Sequence, residues 1–75
     1  MNIQQLKCFV EVSKTLNFTK ASQNLFISQT AVSNHIKHLE KTLGFQLFIR
    51  NKKNVQLTQQ GEIFLKSALK VLEAN

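Results

Sequence analysis

The sequence predicts a mainly α fold: a three-helix core, a short two-stranded hairpin and a further helix at the C-terminal end. Three observations carry this. Apolar residues recur at steps of three and four through most of the chain, side chains able to cap helices stand at the breaks between those runs, and two short apolar pieces flank a polar, turn-prone stretch. With 75 residues and no proline, the chain has room for one small core, since a domain of this size buries only about 60% of the surface its unfolded chain exposes. No repeat, linker or low-complexity tract divides it.

Ile3, Leu6, Phe9, Val10 and Ser13 form one stripe, with Gln4, Gln5, Lys7, Glu11 and Lys14 opposite, which predicts a first helix over residues 2–14. The segment Thr15 to Phe18 breaks the pattern, and Thr19 is expected to cap a short second helix that starts at Lys20 and ends near Leu25 or Phe26. After a brief turn Ser28 is the next cap. Val32, Ile36, Leu39 and Leu43 then repeat at helical spacing until Gly44 supplies a stop, predicting a third helix from Gln29 to Leu43. Leu47 to Ile49 and Val55 to Leu57 read as two strands around the turn-prone Arg50-Asn51-Lys52-Lys53-Asn54. Thr58 is expected to cap a last helix from Gln59 onward, too apolar in Ile63, Phe64, Leu65, Ala68, Leu69, Val71 and Leu72 to be covered on one side only.

Ten Lys and Arg against four acids give a net charge of +6 and a pI near 9.9, a balance suited to a polyanionic partner. Position sharpens this: between Glu11 and Glu40, and again between Glu40 and Glu62, there is no acid, while Lys14, Lys20, Lys37, Lys41, Arg50, Lys52 and Lys53 fall in those gaps. A merely solvated surface would have the same net charge, so the motifs must decide.

Two helices joined by a tight turn, the second with polar residues near its start, make a helix-turn-helix, whose second helix lies in the major groove of DNA. The exposed start of the third helix would be Gln29, Thr30, Ser33, Asn34 and Lys37, opposite Val32, Ile36 and Leu39. Gln and Asn bond bidentately to adenine, while Ser and Thr accept from or donate to several bases. A basic hairpin follows at once, and Arg50, Lys52 and Lys53 suit a wing that tracks phosphates or enters a narrow minor groove.

The chain resembles the N-terminal domain of LysR-type regulators over essentially its whole length. The stretches that carry the resemblance are Leu6 with Phe9-Val10, Asn17-Phe18-Thr19-Lys20-Ala21, Ile27-Ser28-Gln29-Thr30-Ala31-Val32-Ser33, Ile36 with Leu39-Glu40, Leu43-Gly44, Leu47-Phe48, Arg50, and Leu57-Thr58 with Gly61. This implies a winged helix-turn-helix DNA-binding domain over residues 1–58 and a linker helix over 59–75 that pairs two protomers. It also implies an effector-sensing domain that lies outside these residues, so that any small-molecule effector would act through it. Position by position, the resemblance places Gln29, Thr30, Ser33 and Asn34 on bases, Thr19, Lys20 and Ser28 on phosphates, and Arg50 and Lys53 in the wing. Lys37, on the same face of the third helix, is assigned to the backbone as well. The family often has Pro where Thr30 stands and Arg where Asn34 stands, so adenine is the expected preference here in place of guanine. Lys53 replaces a frequent Arg, keeping charge without the planar fork.

A doubly apolar last helix also fits pairing on its own terms, since a twofold dimer matches a palindromic duplex site. Leu65, Leu69 and Leu72 are expected to face the partner, with Phe64, Ala68 and Val71 turned toward the first helix or sharing the seam. Packing of all six within one chain is the alternative.

Other chemistries find little support. His35 and His38 stand three apart, but no second Cys or nearby carboxylate completes a metal shell, so no metal or other cofactor is expected. Cys8 lies among apolar residues, as a buried filler and not a nucleophile. Gly44 and Gly61 are the only glycines and make no phosphate loop. No catalytic residue is expected. With no run near the ~20 apolar residues of a membrane span and no secretory segment, a cytoplasmic protein is expected. A winged helix that docks a protein, its charge incidental, remains the rival to DNA binding, and DNA affinity alone would fall steeply with salt.

Overall fold

The computed structural model describes residues 1–73 of the chain. In order it runs α1 (Ile3–Thr15), α2 (Phe18–Leu25), α3 (Gln29–Leu43), β1 (Phe48–Arg50), β2 (Val55–Leu57) and α4 (Gln59–Glu73). This is the expected mainly α architecture of three core helices, a two-stranded wing and a final helix. The last two positions of the expected linker helix, 74 and 75, lie outside the described residues.

Local chemistry sets most boundaries. Asn2 starts α1 with a reciprocal capping box: its side chain accepts from the Gln5 amide at 2.8 Å, and its own amide donates to Gln5 Oε1 at 3.2 Å. Ser28 caps α3 by accepting from the Ala31 amide at 3.0 Å, and Gly44, with φ 83°, ends it in the left-handed region that favours glycine. Both ends of α3 therefore fall where the sequence predicts.

The second helix departs from expectation. Asn17, not Thr19, is the cap: its Oδ1 accepts from the Lys20 amide at 2.9 Å, and the helix opens at Phe18. Both side chains are competent caps. Burial decides between them, because Phe18 must enter the core and its ring meets Phe48 edge-on, 6.0 Å between centroids. Thr19 is thereby carried into the first turn of the helix.

The core forms where α1 meets α2, α3 and α4. Phe9, Val12, Val32, Ile36, Leu39 and Leu47 are fully buried. Since α1 is contacted on several sides, its buried face is wider than the expected stripe: Cys8 and Val12 join it, while Ile3, at the helix start, is left exposed. Phe9 is the junction, its ring 5.5 Å from Phe48 of β1 and 5.4 Å from Phe64 of α4. Burial raises the Cys8 thiol above its ordinary value of 9.0.

The wing is an antiparallel pair with Phe48 opposite Leu57, Ile49 opposite Gln56 and Arg50 opposite Val55. Its first strand is displaced by one residue from the expected Leu47 to Ile49. The Leu47 and Phe48 amides donate to Oε2 of Glu40, at 2.7 and 3.3 Å, so α3 itself anchors the entry to the hairpin, and Arg50 is drawn from the turn into the ladder. Asn51 closes the tip by accepting from the amides of Lys53 and Asn54, each at 2.9 Å.

Thr58 caps α4 as expected, accepting from the Gly61 amide at 2.9 Å, and its hydroxyl donates to the Gln46 carbonyl at 2.7 Å. Gly61 is buried where α4 crosses the start of β1. Of the α4 residues expected to turn toward the first helix or share the seam, Phe64 and Ala68 are packed on the core, whereas Val71 is exposed. Leu65 and Leu72, expected to face a partner, are half-buried against this chain's own core, and Leu69 is on the open side with Ile63. The 100° step explains this, because Gly61, Leu65, Ala68 and Leu72 share one side of the helix and that side is the one laid on α1.

Two outcomes follow. A Cβ at Gly61 would collide with the Leu47 carbonyl oxygen, so Gly61→Ala should lower stability by about 1–3 kcal/mol, a fall of several degrees in the melting midpoint followed by circular dichroism. In the native protein Cys8 should stay unreactive toward a thiol reagent at pH 8 and react stoichiometrically once denaturant unfolds the chain.

Candidate nucleic-acid interface

The start of α2, the first two turns of α3 and the wing enclose an open cleft of about 360 Å³. Asn17, Thr19, Gln29, Ser33, Arg50 and Lys53 are among the residues that line it, and no acidic side chain does. Gln29, Thr30 and Asn34 are exposed on α3, Ser33 is half-buried, and Lys37 is exposed one turn further along. Lys52 and Lys53 are exposed at the wing tip, and Lys20 is exposed on α2. Every residue expected to touch a base or a phosphate thus carries some open surface, and most border one concavity.

Two contacts tie this surface to the scaffold behind it. Thr19 Oγ1 donates to Gln29 Oε1 at 3.2 Å, linking α2 to the first residue of α3. The amide oxygen keeps a second lone pair and the amide nitrogen keeps its donors, so Gln29 retains the donor-acceptor pair that adenine requires. Thr19, expected from the family resemblance on a phosphate, here orients a neighbour. Ser28, expected in the same role, spends an oxygen lone pair on its cap and keeps its hydroxyl proton for another acceptor.

The second contact involves Arg50. Its guanidinium carbon lies 3.9 Å from the centroid of the Phe18 ring, and Nη1 donates to Ser33 Oγ at 3.2 Å. Arg50 ends the strand and is turned back toward the helices, whereas the tip belongs to Lys52 and Lys53. Period-two alternation accounts for its direction: Arg50 shares a sheet face with Phe48, whose ring is in the core. That alternation was present in the sequence and would have distinguished Arg50 from the two lysines. The role of Phe18 as a platform, and that of Glu40 as the anchor of the wing, carry no comparable local signal.

The two histidines sit on α3, His35 half-buried and His38 exposed. Among the described residues no three His, Cys, Asp or Glu side chains converge, and no helix is long and apolar enough to cross a membrane.

Comparison with known proteins gives concordant results. The family model described as bacterial regulatory helix-turn-helix protein, lysR family, matches residues 3–62. The chain is 44% identical over 73 residues to the Hca operon transcriptional activator HcaR of Escherichia coli (strain K12), covering 97% of this chain and 25% of that protein. It is 45% identical over 65 residues to the HTH-type transcriptional regulator HdfR of Escherichia coli O139:H28 (strain E24377A / ETEC), covering 87% of this chain and 23% of HdfR. It spans, then, about a quarter of the length of these relatives. Among solved structures, the BenM DBD/catB site 1 DNA complex superposes with a TM-score of 0.94 at 38% identity, over 99% of this chain and 83% of that one. The CbnR DBD–DNA complex does so with a TM-score of 0.95 at 34% identity, over 99% and 85%.

Proposed function

The chain belongs to the lysR family of bacterial regulatory helix-turn-helix proteins, and from that premise we propose that it is the sequence-reading domain of a transcription regulator, binding double-stranded DNA. The observation that carries this is the cleft. Uncharged hydrogen-bonding side chains on the first turns of α3 stand beside the exposed cations of the wing, with no acid among the lining residues. Uncharged donors and acceptors discriminate bases, whereas cations supply affinity for any duplex.

In this reading α3 enters the major groove with Gln29, Thr30, Ser33 and Asn34 toward base edges. Lys20 and Lys37, with the hydroxyl of Ser28, face the phosphates on either side, while Thr19 holds Gln29 from behind. Lys52 and Lys53 follow the backbone or the adjacent minor groove. The protein acts in the cytoplasm, where its DNA is, and performs no reaction.

Two copies pair through α4. Leu69 stands on the open side of α4, flanked by Leu65 and Leu72, which are packed on this chain's own core and offer the partner only the edges they leave half-exposed. A twofold pair presents two α3 helices to an interrupted inverted repeat.

Selection of bound sites from a randomised duplex pool tests the reading, and it should enrich an inverted repeat whose half-sites contain adenine contacts. On the enriched duplex, Gln29→Ala should lose about 1–3 kcal/mol of discrimination at particular base pairs. Lys53→Ala should weaken all duplexes alike and flatten the salt dependence by about one unit of slope. A pool that stays random at every salt concentration would contradict the base-reading role, and an enriched site without twofold symmetry would contradict the pairing.

A further inference from the structure

Arg50 is held by two groups on two different helices. Its guanidinium is stacked on Phe18 of α2 and hydrogen-bonded to Ser33 of α3, although the residue itself belongs to β1 and remains exposed to solvent. Anchoring of this kind fixes the direction of a planar guanidinium, which the compact point charge of a lysine does not need in order to attract a phosphate. The neighbouring Lys52 and Lys53 are of that unanchored kind, exposed at the tip. Arg50 therefore differs from them in what surrounds it as well as in its fork.

We propose that Arg50 is a positioning residue for base reading: stacked on Phe18, it holds the Ser33 hydroxyl in place and so couples the wing to the recognition face of α3. The inference rests on the base-reading role of α3 set out above. A serine hydroxyl alone rotates among three staggered positions. The bond from Nη1 occupies one lone pair on Oγ, and the adjacent cation makes the oxygen a poorer acceptor while leaving the hydroxyl proton to donate. Ser33 is thereby presented as a donor, matched to base edges that offer an acceptor, such as N7 and O6 of guanine or O4 of thymine. Lysine cannot substitute, because an ammonium has neither the plane that stacks on Phe18 nor a second donor direction fixed relative to it.

The test uses the full chain, the duplex enriched from a randomised pool, and its single-base-pair variants. Arg50→Lys keeps the charge at the end of β1, and Arg50→Gln keeps a donor without charge; both should retain the helical circular dichroism of the parent and still melt cooperatively, with a midpoint lowered by no more than about 8 °C. Arg50→Lys should lose about threefold to tenfold of discrimination at the same base pair that Ser33→Ala relaxes, with the salt slope unchanged. The double variant Arg50→Lys with Ser33→Ala should show little further loss, the signature of two residues acting through one contact. If Arg50→Lys instead retains full discrimination while Arg50→Gln weakens every duplex equally and lowers the salt slope by about one, Arg50 is a phosphate contact and the proposal is overturned. Additive losses at different base pairs overturn it as well. A parent chain that binds all duplexes alike fails the base-reading role itself, and the present inference with it. That outcome is recognised before any variant is compared.

Discussion

A run of aromatic rings organises this molecule. Phe64 of α4, Phe9 of α1, Phe48 of β1 and Phe18 of α2 follow one another with successive centroids 5.4, 5.5 and 6.0 Å apart, in tilted and edge-on geometries. Such pairs add about 0.5–1.5 kcal/mol each beyond the area they bury, a large fraction of the stability available to so small a domain. Their more specific consequence is geometric. Four elements that are separate in sequence are registered to one another through rings that leave few alternative arrangements. The run ends at the surface, where Phe18 carries the guanidinium of Arg50 and Arg50 in turn reaches Ser33. The interior and the candidate recognition surface are thus one connected structure.

Anchoring of this kind suits a surface that must discriminate. The wing is only two three-residue strands, an element that would be marginal alone in water. It is held at its base by Glu40, at its return by Thr58 and on its inner face by Phe48, and the side chains of Lys52 and Lys53 stand exposed at its tip. Cations that follow phosphates work from exposed, loosely constrained side chains, whereas hydrogen bonds to base edges weaken steeply with angle and need a fixed origin. Gln29 and Ser33, each bonded to a neighbour on another element, have that origin.

What the sequence made legible was whatever is decided locally. Ser28 and Gly44 bracket α3 because a cap and a left-handed stop act within a few residues of themselves, and Thr58 does the same for α4. The polar set on α3 could be read for the same reason, as the complement of Val32, Ile36 and Leu39 on a helix of known bounds. Choices made by tertiary contact were not legible. Asn17 and Thr19 are equal candidates until the burial of Phe18 is known, and Leu65 and Leu72 could face either way until α4 is laid on α1. The extent of β1 was not legible, because its start is set by Glu40, seven residues before the first amide that it holds, although alternation from Phe48 already marked the face on which Arg50 stands.

The central claim is that the face formed by the start of α2, the first turns of α3 and the wing is the one that meets DNA. Amide chemical-shift mapping of the full chain, titrated with the duplex enriched from a randomised pool, tests it most directly. The account predicts shifts concentrated at residues 17–20, 28–37 and 50–54, with smaller changes at Phe48 and Phe9 passed through the aromatic run. Shifts confined to the outer face of α4, around Ile63 and Leu69, with the α3 face silent, would contradict it.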